Sequence, residues 1–401
     1  MLPDFAPRLR AFAEVIVRIG LNHQPGQRLL IAEPYELQGV ARSAEVIVDE
    51  VRAAASGAGC VPAAVEIIWG DSQQLRDFAA RQDWRGFARL VEKHAVTMRQ
   101  YVSNGDALLF LQGSQPTLLD GVAAEQVAEL RRIGWEYFGP VAQMLMNGAT
   151  NWTVAPAPSP EWAQAVYDDL TEPQRLDALW SEVFAACRIG LTPTGANALT
   201  ADALAAWRTH LAGLRLTRDQ LNAQRHRTVR FQGDGTDLTV TLPAGHVWCT
   251  AQLTTRTGVE FVANLPTEEI FTLPGRDSAH GKVRVARPVN FGGVEIAGIE
   301  LEFKAGQVTA AAARRNAPLL EQLLATDEGA VRLGEVALVP HPTSLGRSGR
   351  LFRHALLDEN TANHIALGES YGFCLKGPDR GAANRSLIHV DLPLDARVTL
   401  G

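Results

Sequence analysis

The 401-residue chain is 46% hydrophobic and 20% charged, which excludes a disordered, collagenous or coiled-coil protein and allows a sizeable core. A chain of 401 residues exceeds one ordinary core, so two domains are expected. The formal charge of −6 provides no basic field to collect phosphates, so the expected partners exclude nucleic acid and membrane, while an acidic cleft that attracts cations fits.

Asp4, Arg8 and Arg10 interrupt the N-terminal stretch, which lacks the apolar core and cleavage site of a signal peptide, and no uncharged apolar run reaches membrane-spanning length. Cys60, Cys187, Cys249 and Cys374 lie far apart without CxxC pairing and read as reduced core thiols, so a cytoplasmic location is expected. Asn151-Trp152-Thr153 fits the glycosylation sequon, a tripeptide that often arises by chance and matters only in a secreted chain.

Apolar residues at helical spacing predict a helix over 9–19, Gly26 breaks the chain, and 28–31 read as a short buried strand. The pattern repeats with a helix over 40–54, a stop at Gly57-Ala58-Gly59, a strand over 63–69, a helical stretch over 75–101 and a strand over 107–112. Strands alternating with helices imply right-handed crossovers and a mostly parallel sheet, so residues 1–190 read as an open α/β domain with helices on both faces. The segment 190–197, with Pro193 and Gly195, reads either as an ordinary loop or as the domain boundary, and the boundary is placed there; helical periodicity resumes over 200–226. Strand-period alternation then marks 228–231, 236–242, 283–286 and 295–303, so residues 191–401 read as a strand-rich α+β half. Gly233-Asp234-Gly235 reads as a tight turn between two of these strands, because a phosphate loop needs more glycines and a following helix.

Four clusters in the second half carry acids and imidazoles. Across 264–271, Pro266 fixes the backbone and Glu268-Glu269 precede an apolar pair, which alone reads as a solvated pair of acids. Residues 332–339 form a candidate strand whose single acid, Glu335, is flanked by small and apolar residues. A buried carboxylate there needs a cation or strong donors, so it points to a metal or an arginine unless the residue is exposed. The run 356–371 combines Asp358, Glu359, Asn360, His364 and Tyr371. Glu359 and His364 are five apart, off one face of a regular helix, so only a loop or helix-end geometry lets both reach one ion, and His364 equally reads as a core or capping residue. Finally, His389 and Asp391 are two apart and point the same way on a strand, a common tripeptide but one that presents nitrogen and oxygen to a divalent cation.

Taken in order, NLPTEEIFT at 264–272, LGEVALV at 333–339, DENTANHIALGESY at 358–371 and NRSLIHVD at 384–391 resemble the aminopeptidase T and aminopeptidase S family of thermophilic metallopeptidases, family 29. Weaker similarity through 231–238, 151–153 and 21–27 extends it to nearly the whole chain. The resemblance implies a homodimeric aminopeptidase of broad specificity acting on peptide substrates. It also implies that Glu269, Glu335, Glu359, His364, His389 and Asp391 hold two divalent metal ions (zinc, cobalt, manganese or magnesium), with Tyr371 as a catalytic phenol. Of the adjacent acids Glu269 takes the family's ligand position, and Glu268 faces the other way in extended chain.

On that reading a metal-bridged hydroxide attacks the scissile carbonyl and Tyr371 donates to the oxyanion. Glu335, or in second place Glu268, carries the proton to the leaving amine. After His389-Val390-Asp391 the family's glycine-serine segment is replaced by the short stretch 392–401, so substrate access and dimer contacts are expected to differ. Two other readings remain. Dihydroxypyridine ring-opening dioxygenases resemble this family and hold one iron with two His and one Asp, which would be His364, His389 and Asp391, but they have no need of Glu269 and Glu335. A non-catalytic peptide- or metal-binding homologue would have no need of Tyr371.

Overall fold

The computed structural model describes residues 2, 4–33, 39–59, 64–190, 196–291, 293–340, 342–377 and 380–401. Cys60, Pro193, Gly195 and the start of the strand expected at 63–69 lie outside them. The chain divides into two compact units, one comprising 1–122, 129–212 and 251–267, the other 123–128, 213–250 and 268–401.

The chain opens with α1 (Phe5–Val15), β1 (Leu29–Ala32), α2 (Glu45–Gly57), β2 (Val65–Ile67), α3 (Ser72–Arg81), α4 (Trp84–Asn104), β3 (Ala107–Gln112), α5 (Ala124–Met146), β4 (Trp152–Pro156), α6 (Pro160–Val166), α7 (Glu172–Ala186) and α8 (Ala196–Gln224). In the first unit four strands pair in the order β2-β1-β3-β4, all parallel. The continuous apolar runs of β1 and β3 are buried along their length, as a parallel sheet covered on both faces requires. The helical stretch expected over 75–101 is two helices, because the Asp83 carboxylate accepts the Gly86 N–H at 2.8 Å and starts α4 afresh.

The polar texture of Asn151-Trp152-Thr153 hides β4, all five residues of which are buried. Asn151 is itself 1% exposed, and its amide donates to the Leu21 carbonyl at 2.7 Å, so the sequon is closed off in the folded protein.

Beyond α8 come β5 (Thr228–Gly233) and β6 (Thr236–Thr241) of the second unit, after which β7 (Gln252–Thr254) and β8 (Glu260–Val262) form a hairpin in the first. There Val154 donates to the Ala263 carbonyl at 2.8 Å and accepts from the Leu265 N–H at 2.9 Å. His210 on α8 donates from Nε2 to the Thr267 carbonyl at 2.8 Å.

The second unit continues with β9 (Ile270–Thr272), β10 (His280–Arg284), β11 (Val289–Phe291), β12 (Val294–Ile296), β13 (Glu300–Lys304), β14 (Gln307–Ala312), α9 (Ala317–Leu324), β15 (Leu333–Leu338), α10 (Ser344–Ser348), α11 (Ala355–Glu359), β16 (His364–Gly368), β17 (His389–Pro393) and β18 (Arg397–Leu400). It holds an antiparallel six-stranded sheet, β14-β13-β10-β6-β5-β18, and an antiparallel four-stranded sheet, β17-β16-β15-β9. The mixed α/β architecture with a strand-rich second half is the expected fold class. Asp234 and Gly235 form the turn between β5 and β6, as their sequence predicts. The strand expected over 295–303 is broken into β12 and β13 at Gly298, whose φ of 66° ends an extended run.

In the six-stranded sheet β6 and β13 alternate buried and exposed residues, whereas β16 is buried at every position. A strand with no wet face must therefore satisfy any polar side chain it carries from within the protein. No described helix is long and apolar enough to cross a membrane. Cys187, Cys249 and Cys374 form no disulfide.

Burial, then the Arg188 charge, hold His210 down to about 4 against the raising effect of its bond to Thr267, so the ring is neutral. Its folded value lies below the unfolded 6.5, so the unfolded chain binds the extra proton and stability falls as pH drops through 6.5 toward 4. Between about pH 7.5 and about pH 5, wild type is expected to lose about 2 kcal/mol more than His210→Gln, which keeps a donor for Thr267 without the titration. Parallel urea-unfolding curves for the two proteins across that range would contradict this.

Candidate metal centre

The four-stranded sheet explains how distant acids and imidazoles meet. Antiparallel pairing sets Ala366 on the central strand β16 opposite Glu335 on β15 and opposite Asp391 on β17. It also sets Gly368 opposite His389, and Ala337 opposite both His364 and Phe271. Because side chains alternate between faces, Glu335, Ala337, His364, Ala366, Gly368, Phe271, His389 and Asp391 share one face, while Val336, Ile365, Leu367 and Val390 take the other. Glu269 directly precedes β9, two residues before Phe271.

Small residues occupy the middle of the shared face and leave room for long polar side chains to converge from its edges. A register shift between Leu333 and Glu335 re-aims the β15 backbone at this point, as bulges do. Gly368, with φ 101°, has no room for a side chain, since a Cβ there would meet the Ile388 carbonyl oxygen at 2.0 Å.

His364 Nε2 lies 3.1 Å from Glu269 Oε2 and 4.0 Å from Glu335 Oε1. His389 Nε2 lies 3.2 Å from Glu335 Oε2 and 3.3 Å from Asp391 Oδ1. One donor group is Glu269, Glu335 and His364 and another is Glu335, His389 and Asp391; within each, one ligand atom per residue lies within 4.8 Å of the others. Glu335 belongs to both. Glu359, the last residue of α11, belongs to neither group and instead hydrogen-bonds with Asp391. It reaches the cluster with His364 through the turn between α11 and β16, the geometry that their spacing of five requires.

Each imidazole turns its other nitrogen to a backbone carbonyl: His389 Nδ1 donates to Glu369 at 2.8 Å and His364 Nδ1 to Ala362 at 3.2 Å. A carbonyl only accepts, so Nδ1 carries the proton and Nε2 faces the carboxylates, which is how metal-ligating histidines are held. Tyr371 stacks on Phe373 with ring centroids 5.5 Å apart, and its hydroxyl lies 3.4 Å from His389 Nε2.

The electrostatics show a surplus of negative charge. Burial first, then the charges of Glu269 and Asp391, push Glu335 up to about 7 against its hydrogen bond with His389. Burial and the charges of Glu269, Asp391 and Glu335 push Glu359 well above the ordinary carboxylate range. Burial lowers both imidazoles, but the acids outweigh it: Glu269 chiefly takes His364 up to about 9, and Asp391 and Glu335 take His389 well above its usual value. Burial likewise works to raise Asp391, yet His389 holds it below its usual value. A site that draws in protons so strongly suits divalent cations, and its carboxylate oxygens and imidazole nitrogens are ligands that such ions accept.

The six residues expected as ligands and Tyr371 thus lie in one neighbourhood. Glu269 is 6% exposed rather than part of a solvated pair, and the ion pairs of Glu335 are with histidines rather than an arginine. The sequence places Asn360 and Asp358 in the third cluster but gives neither a role. Asn360 accepts the Glu268 N–H at 2.6 Å and donates to the Leu356 carbonyl at 2.7 Å and to Glu359 Oε1 at 3.4 Å, tying both acid-bearing segments together. Asp358 is no part of the acid cluster; it accepts from the Phe352 and His354 N–H groups at 2.8 and 3.0 Å. Both residues stand inside the third motif, but what each one bonds was not legible there, because hydrogen bonds to backbone groups carry no spacing signal.

Comparison with known proteins agrees with this geometry. The model of the family described as thermophilic metalloprotease (M29) matches residues 5–399. The chain belongs to the M29 metalloprotease family. It is 35% identical to aminopeptidase T of Thermus thermophilus over 394 residues, covering 96% of this chain and 92% of that protein. Aminopeptidase AmpS of Bacillus subtilis is 30% identical over 404 residues, covering 99% and 94%. A solved structure of wild-type AmpT from Thermus thermophilus superposes with a TM-score of 0.85 at 32% identity, covering 99% of this chain and 98% of that one. As an M29 metalloprotease, the chain is a metal-dependent peptide-bond hydrolase.

In this M29 chain the surplus charge has a consequence for stability. Glu359→Gln is expected to leave the Tm of chelator-treated protein unchanged or higher, because it removes a repelled carboxylate, and to shrink the rise in Tm that added zinc gives. Scanning calorimetry with and without zinc checks this; a clear fall in the chelated variant's Tm contradicts it.

Proposed function

We propose that the chain is an aminopeptidase that removes single residues from the free N-termini of peptides at a site for two divalent ions held by Glu269, Glu335, Glu359, His364, His389 and Asp391. The observation that carries the proposal is the convergence of four buried or half-buried carboxylates and two carbonyl-anchored imidazoles on one sheet face. Four ionised carboxylates balance the charge of two dications, whereas a single ion would leave two of them to be neutralised by protons, toward which Glu335 and Glu359 are already pushed. The imidazoles suit zinc and cobalt, and the carboxylates suit manganese and magnesium. When bound, such ions supply Lewis acidity, polarising a carbonyl and lowering the pKa of a water toward ~7 from about 15.7.

The chain's own residues do the rest. Glu369 and Ala362 hold the two imidazoles with Nε2 toward the acids. Tyr371, kept in place by its stack on Phe373, offers its hydroxyl to the carbonyl oxygen as negative charge grows there. Glu335, shared between both donor groups, is the first candidate to pass a proton from the attacking water to the leaving amine, with Glu268 as the second. The substrate's free α-amine would be recognised by an acid or one of the metals, which makes N-acetylated peptides poor substrates. Membership of an aminopeptidase-bearing family supports the exopeptidase reading.

Chelated protein, tested on Leu- and Arg-p-nitroanilide with and without zinc, cobalt, manganese, magnesium or iron, is expected to hydrolyse them only after metal is restored and to leave acetylated substrates intact. His389→Ala is expected to abolish turnover while keeping the circular-dichroism spectrum. One iron per chain with no peptide hydrolysis would replace this reading with the mononuclear dioxygenase, and cleavage within blocked peptides would make the chain an endopeptidase. In steady-state kinetics Tyr371→Phe is expected to lower kcat by about 10²-fold with a much smaller change in KM. An equal loss confined to KM would remove the phenol from the chemistry.

A further inference from the structure

Asn384 opens the last of the four motifs and touches none of the proposed ligands, yet its hydrogen bonds meet where the segments bearing them join. Its side-chain amide, 1% exposed, donates from Nδ2 to the Gly368 carbonyl at 2.7 Å and to the Gly329 carbonyl at 2.9 Å. Two carbonyls can only accept, so they fix which end of the amide is nitrogen; Oδ1 meets no donor among the described residues. The Asn384 backbone pairs with Ser370 in both directions, donating to Ser370 Oγ at 3.2 Å and accepting the Ser370 N–H at 3.1 Å.

One residue therefore clamps the end of β16 at Gly368, the approach to β15 at Gly329 and the segment 369–371. That segment carries two groups that meet His389. The Glu369 carbonyl accepts from His389 Nδ1 at 2.8 Å, and the Tyr371 hydroxyl lies 3.4 Å from His389 Nε2. Glu369 is bonded to the incoming strand as well, its N–H donating to the Ile388 carbonyl at 2.7 Å and its Oε2 accepting from the Ser386 N–H at 2.6 Å. Left-handed Gly368, which has no space for a Cβ, is the hinge from which this segment departs.

From these bonds we infer that Asn384 is a positioning residue that fixes the Glu369 carbonyl and the Tyr371 hydroxyl against the His389 imidazole. Its role in catalysis rests on the proposed metal-dependent activity, but its effect on the His389 ring does not.

The role requires the two N–H donors and not merely the space the side chain fills, and this separates two variants. Asn384→Asp keeps the shape but turns a carboxylate toward two carbonyl oxygens, so it is expected to do at least as much damage as Asn384→Ala. A space-filling residue would show the reverse order. Both variants are expected to weaken zinc binding, measured by competition with a chromophoric chelator, by about 10- to 100-fold, and to lower kcat far more than they change KM. Asn222→Ala is the control. Asn222 also makes two side-chain bonds, accepting the Trp248 N–H at 2.8 Å and donating to its carbonyl at 3.0 Å, so its loss should cost stability without moving zinc affinity.

A metal-free readout is the proton on His389 Nδ1. Held on the Glu369 carbonyl, it is expected to give a slowly exchanging, downfield NMR signal in chelated wild type and Asn222→Ala, and to exchange rapidly in Asn384→Asp. Retention of that signal in Asn384→Asp overturns the inference whatever the protein's activity. So does an Asn384→Asp variant that binds zinc and turns over as wild type does. If wild type hydrolyses no peptide while the signal behaves as expected, the proposed function falls and the positioning role stands.

Discussion

Carboxylates gathered on one buried face repel one another, and most features of the second unit are arranged around that repulsion. Two like charges about 4 Å apart interact by about 4 kcal/mol at an effective dielectric of 20, so a cluster such as Glu269, Glu335, Glu359 and Asp391 is costly unless cationic charge is close. The protein's own response is proton uptake. Glu335 and Glu359 hold protons to unusually high pH and both imidazoles are driven toward the charged form. A fold that keeps such a site gives up stability for function, the usual relation at reactive centres.

Holding repelling groups together requires a stiff frame. Antiparallel pairing on both sides of β16 supplies it, and the alanines and glycine at the centre of the face keep that frame from filling the space the acids need. Loops then finish what the strands begin. The Asp327 carboxylate accepts from Gly329, Ala330, Ser386 and Leu387, joining the approach to β15 with the approach to β17. Asn360 and Asn384 make comparable joints elsewhere, so each ligand-bearing strand end is tied to another. Amides and backbone carbonyls suit this task because they are neutral: they orient charged groups without adding to the local charge.

Much of the architecture is written in short-range pattern. Apolar runs without alternation became the buried parallel strands β1 and β3, and period-two alternation became the half-wet strands of the six-stranded sheet. Failures fell where a single residue overrides periodicity. Asp83 restarts a helix and Gly298 cuts a strand, while Asn151, the polar residue leading into β4, is satisfied by partners distant in sequence, such as Leu21. Burial of Glu269 was equally invisible locally, since two adjacent acids look solvated until a sheet is built over one of them.

Sequence alone determined the kinds of ligand, their order and the spacing of His389 and Asp391 at one strand period, because residue identity and alternation are local properties of the chain. Four motifs in order were also enough to recognise the family. Tertiary structure alone decided that Glu269, Glu335, His364, His389 and Asp391 share one face, that Glu359 reaches it from a helix end, and that Glu369 and Ala362 orient the imidazoles. Those facts depend on strand register across intervals of tens of residues. Register is set by the packing of the whole sheet and by bulges such as that at Gly334, and no segment carries it by itself.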